Sequence, residues 1–555
     1  MHQHRPNRIP AVLAIILLCL GGVSPLLAQT AAQKEYSSYK TIIEKAVEAG
    51  TAKKMSLDDC LDLALRKNLS IELDRYQPLV DQESLKAALG VYDFVLDSEL
   101  SYRKNENPIT DILRRQLLGI ETFQNTNYNF TVGVSKYFST GGNLTVTADN
   151  NRAASNTNVY NPTFDAGVAA TFTQPLWKNF KIDSNRRSIK QAEKDRQMSE
   201  IDFEGKVSDV LKSVEDTYWN LVNAIEQQNI QIQSRELALI QLRDNQKRVE
   251  IGTLAPIVIT QTRAEVAQSE QSVIAGEADI ILNLNLLKNL IADEWDDPIW
   301  RQTIIPTDKP VVPDSVPELR ESILLAVQNR PELRQLDLSL EKNDIDIQYY
   351  ENQLRPKLDL VANYNPNGVA GPNIQEVVRD QNGDPVYGPD GRPLMQDGPF
   401  TGRIGTVYEQ IFKQDYVNYS LALRFQMPIG NNTAKANLAM ARIGRDQTAT
   451  NHKQTRQSVG VEVLNAVQTI EVNRQSLESA IVARQFQEEQ LDGQNKRYQA
   501  GLTTNFEVLQ TQRDLASAKA AELTALINLK KSFTAFEKAT FTILEKHQLE
   551  IARAN

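Results

Sequence analysis

Side chains able to make or break bonds are sparse in this sequence. Beyond the first residues there are two histidines, His452 and His547, and neither has a neighbour at a metal-ligand spacing. Cys60 is the single cysteine downstream of Cys19, so a chain that loses its leader forms no internal disulfide, and Cys60 reads as a small buried apolar residue. Gly141-Gly142 is not followed by a helix start and reads as a hairpin turn, not a phosphate loop. No nucleophile elbow, Walker or dinucleotide pattern stands in a fitting context. A lone carboxylate such as Glu507 reads as solvated surface charge. These residues predict no enzyme, no cofactor and no metal. The net charge of −9 argues against nucleic acid, since binding phosphates takes a basic face.

The chemistry being absent, the elements carry the information. Arg5 and Arg8 precede an apolar run from Ala11 to Leu20, which predicts a signal peptide over 1–28 with cleavage near Ala28. A polar leader follows over 29–55. No later run is long and apolar enough for a membrane helix, so any membrane contact must use β-strands. Ser56 opens a helix carrying Leu57, Cys60, Leu61, Ala64 and Leu65, with Asp58 and Asp59 in its first turn. The period then changes to two: Phe94, Leu96, Leu100 and Tyr102 in one strand, and Phe164, Ala166, Val168, Ala170 and Phe172 in another. A hairpin from Tyr128 to Ala148 lies between them, expected to lengthen strands or to stand outside a membrane.

After Pro175 comes the longest element. Val207, Leu211, Val214, Tyr218, Leu221, Ile225, Ile232, Leu239, Leu242 and Val249 recur in steps of four and three, interrupted by Gln228, Arg235 and Gln246. The mean step of about 3.5 makes a coiled-coil seam. Roughly 65 residues of helix reach about 100 Å, more than a compact domain encloses. Gly252 ends this helix, and a second runs from about Ile257 to Ala292. Pro306, Pro310, Pro313 and Pro317 form a linker, 306–317, between a first repeat (56–305) and a second (318–546).

The duplication is the most specific signal. Leu319, Ile323, Ala326, Val327 and Leu333 follow the first helix at an offset of 262, and Val463, Val467, Ile470, Ile481, Leu491 and Tyr498 repeat the seam at an offset of 249. At that offset Arg484 matches Arg235, Gly501 matches Gly252, and Gln510-Thr511 matches Gln261-Thr262. Strands are expected at 358–364 and 417–427, with a long surface loop over 365–415 and a tail over 547–555. Two principal strand pairs cannot close a barrel, so copies must share one; three copies of four strands predict a 12-stranded wall.

Gln174-Pro175-Leu176 and Met427-Pro428-Ile429 at the strand-to-helix switches, the two turns at Arg248–Leu254 and Arg497–Leu502, and the duplication together resemble the outer membrane efflux (TolC-like) proteins. The resemblance spans about Ser56 to Lys546. It implies a mixed α and β fold: a duplicated α-β-β-α protomer of a trimeric outer membrane β-barrel, continued by a long periplasmic α-helical barrel, a coiled-coil tunnel. It implies a homotrimer in outer membrane lipid, docking with a periplasmic adaptor (membrane fusion) protein and an inner membrane RND or ABC transporter, as in tripartite efflux or type I secretion. Gly252, Leu254, Gly501 and Leu502 would be the adaptor-docking tips. Tyr498, Glu507 and Gln510 would lie at the periplasmic aperture, with Tyr498 helping to hold it closed; Gln510 stands where the family carries an acid. The alternative reading is a non-conducting periplasmic or surface scaffold with coiled-coil arms. Alternating strands favour the channel.

Overall fold

In the computed structural model, residues 40–547 are described, apart from 114–115, 117–118, 159, 314 and 373. The expected signal peptide and the tail beyond His547 lie outside these residues. The chain divides into two compact units, each assembled from three stretches. One holds the chain up to Asp59 with Asn220–Lys309 and Phe486–Ala520; the other holds Cys60–Trp219, Pro310–Gln485 and the chain from Ala521. No helix of the described residues is long and apolar enough to cross a membrane.

The second unit contains a six-stranded sheet: β1 (Val95–Pro108), β2 (Thr122–Tyr137), β3 (Asn143–Ser155), β4 (Thr163–Pro175), β5 (Lys357–Ala370) and β6 (Tyr416–Gln426). Every neighbour pair is antiparallel, and the spatial order follows the chain order, so the sheet is a plain meander. The expected four strands are therefore corrected to six. The 128–148 hairpin does not stand apart but forms β2 and β3 in the middle of the wall. Arg186 explains how its turn is held. Its guanidinium donates to the carbonyls of Ser139 (3.1 Å), Phe180 (2.7 Å) and Asn179 (2.5 Å), tying the turn to the start of the following helix. Gly141 has φ +83°, and a Cβ there would meet the Asn179 carbonyl at 2.7 Å, so only glycine fits.

Period two sorts the side chains cleanly. One face aligns Leu96, Val134, Val146, Ala170, Tyr364 and Tyr419 across all six strands. The other aligns Glu99, Thr131, Asp149, Gly167, Asn367 and Tyr416, with Asn365 facing Asn418 and Asn363 facing Ser420. On the two edge strands the apolar face is uncovered: Leu96, Leu100, Tyr419, Leu421, Leu423 and Phe425 are all exposed.

The helices Leu57–Lys67 and Leu69–Leu89 open the first repeat and Leu319–Asn329 and Pro331–Gln353 the second; the four longest helices, with a short one between them, are α1 (Ser184–Glu250), α2 (Ile257–Ile291), α3 (Ile404–Lys413), α4 (Asn432–Gln499) and α5 (Asn505–Thr540). The stretch read as a loop over 365–415 thus differs from expectation: β5 continues to Ala370, Gln375–Val377 pairs with Met395–Asp397, and α3 follows. Its surrounding Gly, Pro and Asn residues hide a ten-residue helix from any periodicity search. The leader also carries structure. Thr41 and Glu44 form a reciprocal capping box on Ile42–Glu48, and Ala52–Met55 pairs in parallel with Thr303–Pro306.

The seam is real but drifts. Val207, Leu211, Val214, Tyr218 and Leu221 are buried as expected, as are Gln228 and Arg235. Beyond Arg235 the buried positions are Ala238, Leu242 and Asn245, whereas Leu239 is half-buried and Gln246 is not buried. The inward row there stands one position earlier than the regular four-and-three pattern, at Ala238 and Asn245. In the second repeat, Ala326 and Leu333 pack with Val459, Val463 and Ala539, flanked by the expected Leu319, Ile323, Val327 and Val467. Cys60 is fully buried.

Within the second unit, Glu215 on α1 is wholly buried beside Lys530 (3.6 Å), Lys546 (3.7 Å) and His547 (3.8 Å). Burial alone would raise its pKa. The nearby His547, Lys546 and Lys530 outweigh that and hold the carboxyl down at about 2. Breaking a buried ionic cluster on one side costs about 3–5 kcal/mol, so Glu215→Ala is expected to lower the thermal midpoint markedly. Because the folded pKa lies below the unfolded 4.5, this contribution is full above pH 4.5 and lost as the pH falls toward 2. Unfolding measured against pH should show that window in the wild type and not in the variant.

Candidate functional site

The two turns between long helices belong to the first unit and are built alike. Gly252 (φ +75°) and Gly501 (φ +77°) sit just past the ends of α1 and α4. The Thr253 N–H reaches the Arg248 carbonyl at 2.9 Å, and the Leu502 N–H reaches the Arg497 carbonyl at 2.8 Å. These are six-to-one helix caps, closed by a left-handed residue that glycine adopts freely. A Cβ at either glycine would meet nothing within 4 Å, so the requirement is conformational and leaves the surface open. Leu502 is exposed and Leu254 half-buried; Ile251, Ile257 and Phe506, which periodicity did not single out, are exposed beside them.

Beneath the turns lies a polar knot. The Tyr498 hydroxyl donates to Asn245 Oδ1 at 2.8 Å. Asn245 Nδ2 donates to Thr262 Oγ1 (2.9 Å) and to Asn505 Oδ1 (2.8 Å), and Asn505 Nδ2 donates to Thr262 at 3.2 Å. Gln241 Nε2 adds a bond to Asn505 Oδ1 at 3.0 Å. One side chain from each of α1, α2, α4 and α5 is therefore linked, and Asn245, Thr262, Tyr498 and Asn505 are all buried. Arg248 stacks over the Tyr498 ring at 5.0 Å. Burial pushes the Tyr498 phenol above its ordinary value, so it stays a donor at neutral pH.

Of the candidate residues, Tyr498 enters this knot, whereas Glu507 and Gln510 do not. Both lie exposed on α5. Gln510 donates to Asp514 Oδ1 (2.9 Å) and accepts from Arg513 Nη2 (2.8 Å), and Arg513 pairs with Glu265 at 3.4 Å. The amide at 510 is thus part of a charged chain rather than an open acid. Hydrophobic periodicity had no means of finding Asn245 and Asn505, because they are polar. Thr262 was visible only through its repeat partner Thr511.

The profile of the outer membrane efflux protein family matches residues 141–293 and 323–540, one stretch in each repeat. The chain belongs to the outer membrane efflux protein family. Among solved structures it is similar to the CmeC outer membrane channel of Campylobacter jejuni, with 16% identity, a TM-score of 0.59, and coverage of 87% of this chain and 85% of that one. The outer membrane protein VceC of Vibrio cholerae gives 13%, 0.58, 87% and 95%. The open state of the MtrE outer membrane channel of Neisseria gonorrhoeae gives 15%, 0.55, 87% and 88%. No curated protein matches the chain by sequence. At such identities the likeness concerns the fold, and it agrees with the duplicated mixed α and β architecture. Placement in the outer membrane follows from the family and accords with the two-faced sheet of this efflux protein.

Proposed function

We propose that three copies of this chain form one passive exit duct, the outer membrane component of a tripartite efflux or type I secretion system. The observation that carries the reading is the sheet. It has an exposed apolar face, a polar face rich in Asn, and two edges, β1 and β6, each paired on one side only. In lipid an unpaired edge leaves backbone groups unsatisfied, at several kcal/mol each. Six strands fall short of the smallest closed barrel of about eight, so β1 of one copy pairs with β6 of the next. Three copies then give an 18-stranded wall with its Asn-lined face to water. A scaffold leaves the exposed apolar face unexplained.

The long helices form the periplasmic tunnel. At its end the knot around Tyr498 holds the second helical pair against the first and keeps the aperture narrow, with Glu507 and Gln510 lining it. The turns at Gly252, Leu254, Gly501 and Leu502, widened by Ile251, Ile257 and Phe506, are the adaptor's docking surface. An RND or ABC pump in the inner membrane supplies cargo, which the duct does not alter.

The test is extraction of the full chain from outer membranes, gel analysis before and after heating, and recording in planar bilayers. A heat-labile trimer with discrete conductance steps is expected. A lone soluble subunit without conductance would overturn the reading.

A further inference from the structure

The helix α3 (Ile404–Lys413) is seated on the apolar side of the sheet. Val407 and Ile411 pack with Ala166 and Ala370, and Phe164 and Val168 flank them. Gly368 makes room: a Cβ there would meet the Val407 carbonyl at 2.6 Å. The seating is specific. Gln410 Oε1 accepts from the Val369 N–H at 2.9 Å, and the Tyr408 hydroxyl donates to Asn150 Oδ1 at 2.6 Å. All the residues it touches lie toward the ends of β3, β4 and β5 remote from α1 and α4.

The apolar arc of α3 is wider than this seat needs. Ile404, Tyr408 and Phe412 recur every four residues, forming a second stripe beside the packed one. They remain exposed, Phe412 at 87%. Thr406, Glu409 and Lys413 occupy the remaining arc, and Glu409 pairs with Lys413 at 2.6 Å. A helix docked only onto a wall, with its outer side in water, would carry one apolar stripe. Two adjacent stripes and a narrow polar edge suit a helix lying along a wall at the boundary between acyl chains and headgroups.

We propose that α3 is a lipid-binding element of the outer leaflet: Val407 and Ile411 grip the barrel wall while Ile404, Tyr408 and Phe412 enter the lipid beside it. The inference rests on the membrane-wall reading of the sheet. The helix is seated on the same face of the sheet as the exposed Tyr419, Leu421, Leu423 and Phe425, which commits the occupant to lipid rather than to a second protein.

The test uses the full-length protein in vesicles, with Cys60→Ala as background and an environment-sensitive fluorophore on Phe412→Cys, Leu423→Cys or Glu409→Cys in turn. Quenching is read with nitroxide-labelled lipids and with aqueous iodide. Strong lipid quenching and at least several-fold protection from iodide are expected at 412 and 423, and the reverse at 409. If 423 is lipid-quenched but 412 is open to iodide, the inference falls and the barrel stands. If 412 is shielded from both quenchers, a protein covers it and the inference also falls. If 423 itself escapes the lipid quencher, the wall reading fails first and takes the inference with it.

Discussion

Tyr498→Phe is expected to raise the open probability of the channel by roughly two orders of magnitude. The substitution keeps the ring and its stacking with Arg248 but deletes the 2.8 Å bond to Asn245 Oδ1. A net hydrogen bond contributes about 1 kcal/mol, and the proposed trimer would hold three. About 3 kcal/mol of closed-state preference then disappears, and each 1.4 kcal/mol is tenfold in an equilibrium. The remaining bonds among Asn245, Thr262 and Asn505 keep the helices folded, so the trimer should survive. Single-channel recording reads the change directly. Intact trimers with wild-type gating would show that this knot is structural and that closure is held elsewhere.

Leu423→Arg should nearly abolish assembly. Leu423 points from β6 to the apolar face, opposite Leu360 of β5. An arginine on a lipid-facing strand costs up to about 2–4 kcal/mol, and each copy in the proposed trimer adds its own, which is a large part of the roughly 5–15 kcal/mol stability typical of a protein domain. Asn418→Arg on the same strand faces the polar side, across from Asn365, and should cost little. The ratio of heat-labile trimer in outer membranes for the two variants is the measurement. Equal yields would mean that the apolar face does not meet lipid.

The two effects differ in what a sequence can disclose. The apolar stripe of β6 is visible without coordinates, because alternation of Val417, Tyr419, Leu421, Leu423 and Phe425 with polar neighbours has one structural solution. The long helices are legible for the same reason, as are Gly252 and Gly501, where a helix must stop. The duplication sharpened both, since each feature was read twice. The knot is different. Asn245 sits one residue off the expected seam and has no apolar signature. Its importance comes from Thr262, Tyr498 and Asn505 converging from three other helices, and side-chain spacing along a single helix carries no information about that.

The number of strands follows the same division. The alternation around Tyr128–Ala148 marked strands, but whether they joined the wall depended on hydrogen-bond partners far along the chain and on Arg186 holding the Ser139 carbonyl. Likewise α3 was lost among turn-forming residues, and its seat on Ala166 and Ala370 exists only once β4 and β5 are side by side. Local periodicity determined the elements, their two faces and the repeated plan, because burial acts on every second or every third-to-fourth residue of the same segment. Which polar groups meet, how many strands stand together and what lies on the wall were decided by tertiary structure. Those contacts join different elements, from 17 positions apart for Asn245 and Thr262 to 264 for Gln241 and Asn505, and only the folded chain brings them within hydrogen-bonding distance.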